Sequence, residues 1–157
     1  LMVQWLADTC EDGTVKSILL NILDTPISPE LLPPGPDGVQ AQKTEDLVGP
    51  YELHDFFLYY IVRYGYTPEK IICLAKQSFG SQYSVSDIRK WLKLFYSRFF
   101  TRQFKRTCFP DGPQIFPISL SHRGYWRMPS DACFQIWVDK LDRMDISKYD
   151  KATYSES

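Results

Sequence analysis

The chain has 157 residues, a formal net charge of −1, 44% hydrophobic residues and 15% aromatic residues. That length suits one domain or part of one, and the composition is globular rather than disordered. Because the charge is nearly balanced, binding of nucleic acid along the whole chain is excluded, and any such binding needs a local basic patch. No apolar run approaches the roughly 18 residues of a membrane span, so we expect no membrane partner. The opening residues lack the basic region of a signal peptide, so we expect a cytoplasmic protein.

Most of the predicted elements are helices, beginning with the opening residues. Residues 1–9 read as the end of a helix, so we expect the sequence to be part of a longer chain. Residues 14–23 are predicted to form the next helix, with Thr14 as its cap. Its apolar residues recur at the spacing of a buried helical stripe, namely Val15, Ile18, Leu19 and Ile22.

A long loop is predicted from residue 24 to residue 50. Its centre, Pro33-Pro34-Gly35-Pro36-Asp37-Gly38, excludes regular structure. Loops of this length in a compact domain are usually functional or disordered. We assign the acidic residues that follow this centre to a solvated face.

Three helices with clear boundary signals follow the loop. The first runs from Pro50 to about Gly65. The second begins at Thr67-Pro68, where Thr is a cap and Pro suits the first helical position. The third begins with Ser84 and Asp87, which resemble a capping box. Short turns join these helices, so we predict an antiparallel helical array.

His54 and Asp55, within the first of these helices, raise the question of a catalytic pair. Neighbouring residues on a helix do not face each other, so we interpret both as surface polar residues.

The four cysteines form no C-x-x-C pair, and the chain has only two histidines. No zinc-site spacing results, and we predict reduced thiols and no metal site. Cys73 is expected in the core. Cys108 is a weak candidate for a nucleophile because the sequence places no acid–His pair beside it. We assign no catalytic residue.

The C-terminal third is predicted to hold loops and one further helix. Residues 107–127 read as loop, with a short extended piece at residues 115–120. Pro129-Ser130-Asp131 starts the last helix, which ends near Met144. We therefore divide the chain into a helical part, residues 1–147, and a polar tail, residues 148–157.

A basic stretch lies at the end of the third of these helices. Between Ile88 and Pro110 there are seven basic residues and no acid, namely Arg89, Lys90, Lys93, Arg98, Arg102, Lys105 and Arg106. If the helix continues, Arg98, Arg102 and Arg106 line one side. Cations at a helix C-terminus also stabilise the helix by about 0.3–1 kcal/mol each and keep it solvated, so a purely structural role stays open.

The functional interpretation of this stretch is recognition of an anion. Arg forks and a Lys charge suit phosphate or carboxylate, and Tyr125 with Trp126 offers flat faces for a ring. Single-stranded nucleic acid would use the same residue types, so they do not separate a dinucleotide from an oligonucleotide. The sequence has no G-x-G-x-x-G, no P-loop, no S-G-G-x-D-S loop and no strand–helix alternation, and it holds no complete active site.

Several motifs, in order, resemble the C-terminal part of bacterial glutamine-dependent NAD+ synthetases. The most specific are Q-F-K-R-x-x-x-P-D-G-P at residues 103–113 and L-S-x-R-G-x-W-R-x-P-S-D at residues 120–131. L-D-T-P-I-S-P-E-L at residues 23–31, K-T-E-D-L-V-G-P-Y-E-L-H-D-F at 43–56 and Y-G-Y-T-P-E-K-I at 64–71 agree. The likeness spans roughly residues 1–143.

The resemblance implies a mainly α fold. This chain would be the helical C-terminal portion of an α/β, adenine-nucleotide-hydrolase-like (Rossmann-like) synthetase domain, whose parallel sheet and ATP loop lie upstream. The parent enzyme, a ligase, would also carry a glutaminase domain. It would adenylate deamido-NAD+ with ATP and Mg2+, and ammonia from glutamine would displace AMP. We expect a homo-oligomer, no nucleic-acid partner, and neither cofactor binding nor activity by this chain alone.

The resemblance also implies the substrate site. The Lys of the family's F-K-R motif contacts deamido-NAD+ and is Lys105 here, with Arg106, Arg123 and Tyr125 as supporting candidates. The second loop, residues 121–127, departs from the family's S-P-R-G-D-W-R, because His122 replaces Pro and Tyr125 replaces Asp. The alternative function is a helical nucleic-acid-binding or protein-interaction module that uses the basic residues 89–106.

Overall fold

The computed structural model describes residues 2–25, 44–110, 112–114 and 117–150. In these ranges the regular structure is helical and no strand occurs, which confirms the mainly α fold class. The helices are α1 (Met2–Thr9), α2 (Gly13–Asp24), α3 (Thr44–Val48), α4 (Tyr51–Tyr64), α5 (Pro68–Phe79), α6 (Val85–Thr101), α7 (Gln103–Thr107), α8 (Gln135–Arg143) and α9 (Ser147–Asp150). Most of the predicted loop 24–50 and of the predicted tail lies outside the described residues, although α3 and α9 occupy parts of them.

The chain divides into two compact units, Leu1–Leu47 and Val48–Ser157. In the first unit α1 packs against α2. The Asp12 carboxylate accepts hydrogen bonds from the backbone N–H groups of Thr14 (2.8 Å) and Val15 (3.2 Å). Asp12 is therefore the cap of α2, and the prediction of Thr14 was wrong because the helix begins one residue earlier, at Gly13.

The apolar stripe of α2 is exposed rather than buried. The exposed fractions are 44% for Val15, 56% for Ile18 and 56% for Ile22. Among the described residues of α1 and α2, Ala7 alone is buried. The prediction of a buried stripe was wrong for this chain, because helical spacing shows that one face is apolar but not what covers it.

The second unit has its core around α6. This helix contacts α4, α5, α7 and α8. Seven of its residues are buried, and they recur at helical spacing from Val85 to Phe100. The buried core cluster consists of Leu53, Phe57, Ile71, Ile72, Ala75, Val85, Ile88, Leu92, Phe95, Tyr96, Phe99, Phe100 and Leu141. A helix with so wide a buried face fixes the positions of whatever follows its C-terminus.

The predicted boundaries of α4, α5 and α6 agree with the observed helices, and cap contacts are seen at the end of α4 and the start of α6. Gly65 is left-handed (φ 61°) and ends α4, with its N–H bonded to the Ile61 carbonyl at 3.0 Å. Pro68 begins α5 after Thr67, whose side chain makes no capping bond. The Ser84 hydroxyl accepts from the Asp87 N–H at 3.1 Å. Each of these helix ends depends on residues close to it in the sequence, so its position could be predicted from the sequence.

The last long helix starts later than predicted. Residues 129–132 form a turn, which the Ala132 N–H closes by bonding the Pro129 carbonyl at 3.3 Å, and α8 begins at Gln135. The turn signals were read as a helix cap. Of the predicted extended piece 115–120, residues 117–120 are described and are not a strand.

His54 is half-buried rather than on the surface, so its interpretation as a surface residue was wrong. Its ring centroid lies 6.2 Å from that of Phe57 and 5.7 Å from that of Phe95. Its Nε2–H donates to the Val48 carbonyl. Burial is the largest influence on the His54 pKa and holds it below its ordinary value, and the Arg98 charge acts in the same direction. Asp55 is exposed, as predicted.

His54 is expected to make stability fall in mild acid. Its pKa is lowered from 6.5 in the folded chain. The unfolded chain therefore takes up the proton first as the pH falls. The neutral ring's contribution is complete above about pH 6.5 and is lost below it. We expect His54→Gln to remove this part of the pH dependence. Urea unfolding at about pH 7.5 and about pH 5.5 measures it, and an equal fall in both proteins would contradict the assignment.

Gly49, between α3 and α4, is required for two separate reasons. Its φ is +90°, and a Cβ atom there would lie 2.5 Å from Cδ2 and from Cε3 of Trp91. Gly65 has a positive φ but open space around it, and Gly112 has open space and no positive φ. These glycines form a graded series within one unit.

We expect Gly49→Ala to cost about 3 kcal/mol of unfolding free energy, because backbone strain adds to the clash with the indole. Gly65→Ala should cost about 1 kcal/mol for the left-handed backbone alone, and Gly112→Ala close to nothing. Denaturant midpoints measure the series. Equal losses of unfolding free energy for Gly49→Ala and Gly65→Ala would show that the Trp91 indole moves aside without a measurable cost.

Candidate anion-binding site

The basic helix is interrupted at Arg102. Helix α6 ends at Thr101, Arg102 has φ −100° and ψ 16°, and the short helix α7 follows. The condition for a continuous line of Arg98, Arg102 and Arg106, an uninterrupted helix, is therefore not met. Arg98 and Arg102 are exposed, whereas Arg106 is half-buried.

Arg106 ties α7 to the end of α6. Its Nε donates to Oε1 of Gln103 at 2.9 Å, and its Nη2 donates to the Phe99 carbonyl. Its Cζ atom lies 4.3 Å from the centroid of the Phe99 ring. Burial lowers the Arg106 pKa, but a guanidinium stays protonated at neutral pH. The guanidinium is thus held by the Gln103 side-chain oxygen, the Phe99 carbonyl and the face of the Phe99 ring.

The second loop folds onto the same phenylalanine. The Ser121 carbonyl accepts hydrogen bonds from the N–H groups of Tyr125 (3.2 Å) and Trp126 (3.0 Å), which closes a tight turn. The Trp126 ring lies 5.4 Å from the Phe99 ring at an interplanar angle of 67°. Phe99 therefore contacts Arg106 from α7 and Trp126 from the loop.

The two segments carrying the most specific motifs are thereby brought together. A pocket of about 340 Å3 lies between the end of α7 and the loop, lined by Thr107, His122, Arg127, Met128 and Pro129. Two of these side chains, His122 and Arg127, can donate hydrogen bonds to an anion. The arrangement can hold a phosphate or carboxylate at the surface of the helical unit.

The four residues predicted to bind substrate do not all face the same way. Lys105, Arg123 and Tyr125 are exposed, and Arg106 is directed to Phe99. None of the four lines the pocket between α7 and the loop. Lys105 and Arg106 are neighbours in the chain, so anchoring of Arg106 also restricts where the Lys105 ammonium can reach.

Besides Arg106, two further cations of the basic stretch take part in contacts within the fold. The Lys93 ammonium bonds the Asp142 carboxylate at 2.5 Å, which joins α6 to α8. The Lys90 Nζ lies 4.4 Å from the centroid of the Trp91 ring. These contacts leave a smaller patch for an extended polyanion than the sequence alone indicated.

Gln103 is a site residue whose role sequence reasoning missed. It is fully buried, with an exposed fraction of 0%, and it accepts the bond from Arg106. The signal was present in the spacing, because Gln103 follows Phe95 and Phe99 at intervals of four residues. A polar residue that continues a buried stripe calls for a buried polar partner.

The cysteines and the potential metal ligands were considered as a further site in the part of the chain that the structure describes. All four cysteines are free; Cys73 is half-buried and Cys108 is exposed. Across the described ranges, no group of three His, Cys, Asp or Glu residues is placed to hold a metal ion. Within the same ranges no helix has both the length and the apolar character to cross a membrane.

Comparison with known proteins identifies relatives. The chain is 38% identical, over 161 residues, to proteins named "Glutamine-dependent NAD(+) synthetase" in Mycobacterium tuberculosis and Mycobacterium bovis. It is 37% identical over 162 residues to the protein of that name in Mycobacterium leprae. Each match covers 90% of this chain. No protein-family model matches the chain.

All of these relatives have the same name, glutamine-dependent NAD(+) synthetase. The identity of 37–38% along 90% of the chain confirms the predicted resemblance to the glutamine-dependent NAD(+) synthetases. The chain spans only 23–24% of the length of these curated relatives.

Proposed function

We propose that this chain is the helical C-terminal part of an NAD+ synthetase domain. The complete enzyme would use ATP and Mg2+ to adenylate deamido-NAD+, and ammonia from glutamine would then displace AMP. The observation that carries the proposal is the 38% identity over 90% of the chain. The ATP loop and the parallel sheet would be supplied from outside these residues, so the chain alone would bind neither ATP nor Mg2+ and would be inactive.

Within this function, Lys105 would contact deamido-NAD+. The substrate is an anionic dinucleotide, and an exposed ammonium next to an anchored residue offers a charge in a restricted position. Arg106 would act as a positioning residue, because its guanidinium is already engaged by Gln103 and Phe99. Arg123 and Tyr125, on the loop that Phe99 helps to hold, would support the binding of the same substrate.

The complete enzyme would also be a homo-oligomer, with this chain contributing to a subunit interface. The support is the apolar surface of the first unit, where Met2, Trp5, Ile18 and Ile22 are each more than half exposed, at 77%, 63%, 56% and 56%. Large apolar side chains exposed in this number are usually covered by protein. Light scattering of the complete enzyme tests this, and a monomer would contradict it.

The function is tested by assaying NAD+ formation from deamido-NAD+, ATP and Mg2+ with two preparations. The complete protein should form NAD+ with either ammonia or glutamine, and the purified 157-residue chain should form none. Turnover by the chain alone would overturn the proposal that the ATP loop lies elsewhere. A complete protein that does not amidate deamido-NAD+ would overturn the function.

A second arm of the experiment addresses the alternative of a nucleic-acid-binding module. A single-stranded oligonucleotide should bind weakly, since Lys90 and Lys93 are engaged within the fold. Tight binding that falls steeply with salt would favour the alternative.

Arg106→Lys is expected to separate positioning from direct contact. The substitution keeps the charge but loses the planar fork that reaches both Gln103 and the Phe99 carbonyl. We expect the free energy of unfolding to fall by about 1–2 kcal/mol and the KM for deamido-NAD+ to rise by less than about tenfold. Thermal unfolding and ammonia-dependent kinetics on the complete enzyme measure the two. A large rise in KM without loss of stability would make Arg106 a direct ligand.

A further inference from the structure

Helix α7 has a single fully buried side chain, that of Gln103. Its exposed fraction is 0%, whereas the other residues of α7 are exposed or half-buried. Glutamine is an uncommon residue at a fully buried position, because its amide then needs hydrogen-bond partners inside the protein. The contacts of this amide therefore indicate what it does.

The neighbouring arginine determines the orientation of the Gln103 amide. The Arg106 Nε carries a hydrogen and can only donate, so it must face the amide oxygen. The observed contact is of this kind, from the Arg106 Nε to the Gln103 Oε1 at 2.9 Å. The amide nitrogen is then buried, and among the described residues it has no hydrogen-bond partner. One half of the amide is thus satisfied and the other half is not.

The unpaired nitrogen argues against a stabilising role for the Gln103 amide. A buried donor without an acceptor destabilises the folded state, and a methionine of nearly the same shape would avoid this loss. The hydrogen bond from Arg106 offsets only part of the loss. The benefit of Gln103 therefore lies in its effect on Arg106.

Arg106 connects this amide to the C-terminal end of α6. Its Nη2 donates to the Phe99 carbonyl, one of the last four carbonyls of α6, which lack partners within the helix. Its Cζ atom lies 4.3 Å from the centroid of the Phe99 ring. Gln103 and Arg106 together therefore hold α7 against α6 across the break at Arg102.

The same contacts determine the direction of Lys105. Residues three positions apart lie on one face of a helix, so Gln103 and Arg106 share the face of α7 that is held against α6. Lys105 follows Gln103 by two positions, which is about 200° around the helix, and it is exposed. If the held face of α7 turns away from α6, the Lys105 ammonium turns with it.

We propose that Gln103 is a positioning residue that fixes the rotation of α7 through Arg106 and so places the Lys105 ammonium for an anionic substrate. Its fully buried side chain does not itself contact the substrate. The inference rests on the proposed function, in which Lys105 contacts deamido-NAD+. It adds that a residue without access to the substrate controls the KM.

The test uses Gln103→Met in the complete enzyme, alone and combined with Lys105→Ala. Ammonia-dependent kinetics give the kcat and the KM for deamido-NAD+, and thermal unfolding gives the Tm. The control is Gln135→Met, which makes the same change at an exposed glutamine of α8 that bonds Asp139 at 2.7 Å. Gln103→Leu repeats the test with an apolar side chain of another shape.

We expect Gln103→Met to raise the KM for deamido-NAD+ about three- to tenfold, to change the kcat by less than about twofold, and to leave the Tm equal or higher. The rise should be smaller than that of Lys105→Ala, because the ammonium is displaced rather than removed. In the Lys105→Ala background, Gln103→Met should change the KM by less than about twofold, since the two residues act as one unit. Gln135→Met should change neither the KM nor the Tm.

Several results would overturn the proposal. If both Gln103 variants keep the wild-type KM, the amide is structural alone, while NAD+ synthesis by the wild-type enzyme leaves the proposed function intact. If the KM rises by the same factor with and without Lys105, Gln103 acts on another residue. If both variants are unfolded at the assay temperature, the amide stabilises the fold and the argument from its unpaired nitrogen is wrong. A wild-type enzyme that forms no NAD+ would overturn the function together with the inference.

Discussion

Lys105→Ala in the complete enzyme is expected to raise the KM for deamido-NAD+ by about 10- to 100-fold when ammonia is the nitrogen donor. Under the proposed function the substitution would remove a charge-assisted hydrogen bond to an anionic substrate, worth about 1.5–3 kcal/mol. Ammonia bypasses glutamine hydrolysis, so steady-state kinetics report the synthetase site alone. Hydrolysis of glutamine and thermal stability should stay unchanged, because Lys105 is exposed.

Lys140→Ala is the matched control for Lys105→Ala. It removes an exposed lysine from α8 in the same unit. NAD+ synthesis that is unaffected by Lys105→Ala would show that this end of the helix is only solvated, even though the family relationship stands. Equal losses from both variants would point to a general effect of charge on substrate attraction.

Phe57→Ala is expected to cost the second unit about 3–5 kcal/mol of unfolding free energy, enough to unfold a marginal domain at moderate temperature. Phe57 is 0% exposed, and its ring lies 5.9 Å from that of Phe95 on α6. The truncation leaves a cavity where α4 meets α6. Urea unfolding followed by circular dichroism measures the loss.

The control for Phe57→Ala is the same substitution at Phe109, which is 62% exposed. Phe109→Ala should change the unfolding free energy by less than about 0.5 kcal/mol. A small loss at Phe57 would mean that α4 shifts to fill the gap. A large loss at Phe109 would mean that the segment after α7 packs more tightly than its exposure indicates.

Helix ends were predictable where their chemistry is local. Gly65 ends α4 through its own left-handed backbone, and Ser84 starts α6 through a bond to a residue three positions on. The break at Arg102 was not predictable in this way. Neither glycine nor proline stands there, and α7 is held by contacts of Arg106 with Phe99, which depend on the fold.

The same limit applies to the candidate site. The motifs predicted one substrate site made of Lys105, Arg106, Arg123 and Tyr125. Residue types alone do not show which of the two guanidinium groups is directed inward. Arg106 donates a hydrogen bond to Gln103, a residue that the motif contains but that residue type alone does not mark as its partner. In α2 the stripe of Val15 and Ile18 was read correctly as apolar, and its burial depended on surfaces that the sequence of one helix does not contain.

Because one face of α2 is exposed, we expect the first unit to open locally more often than the second. Helices α1 and α2 have Ala7 as their one buried described residue, so they can open while sacrificing little buried apolar surface. Helix α6, with seven buried residues, opens only when the core around it is lost. Amide protons of the first unit should therefore exchange with solvent deuterium faster than those around α6. Slower exchange in α2 alone would show that its apolar face has become covered.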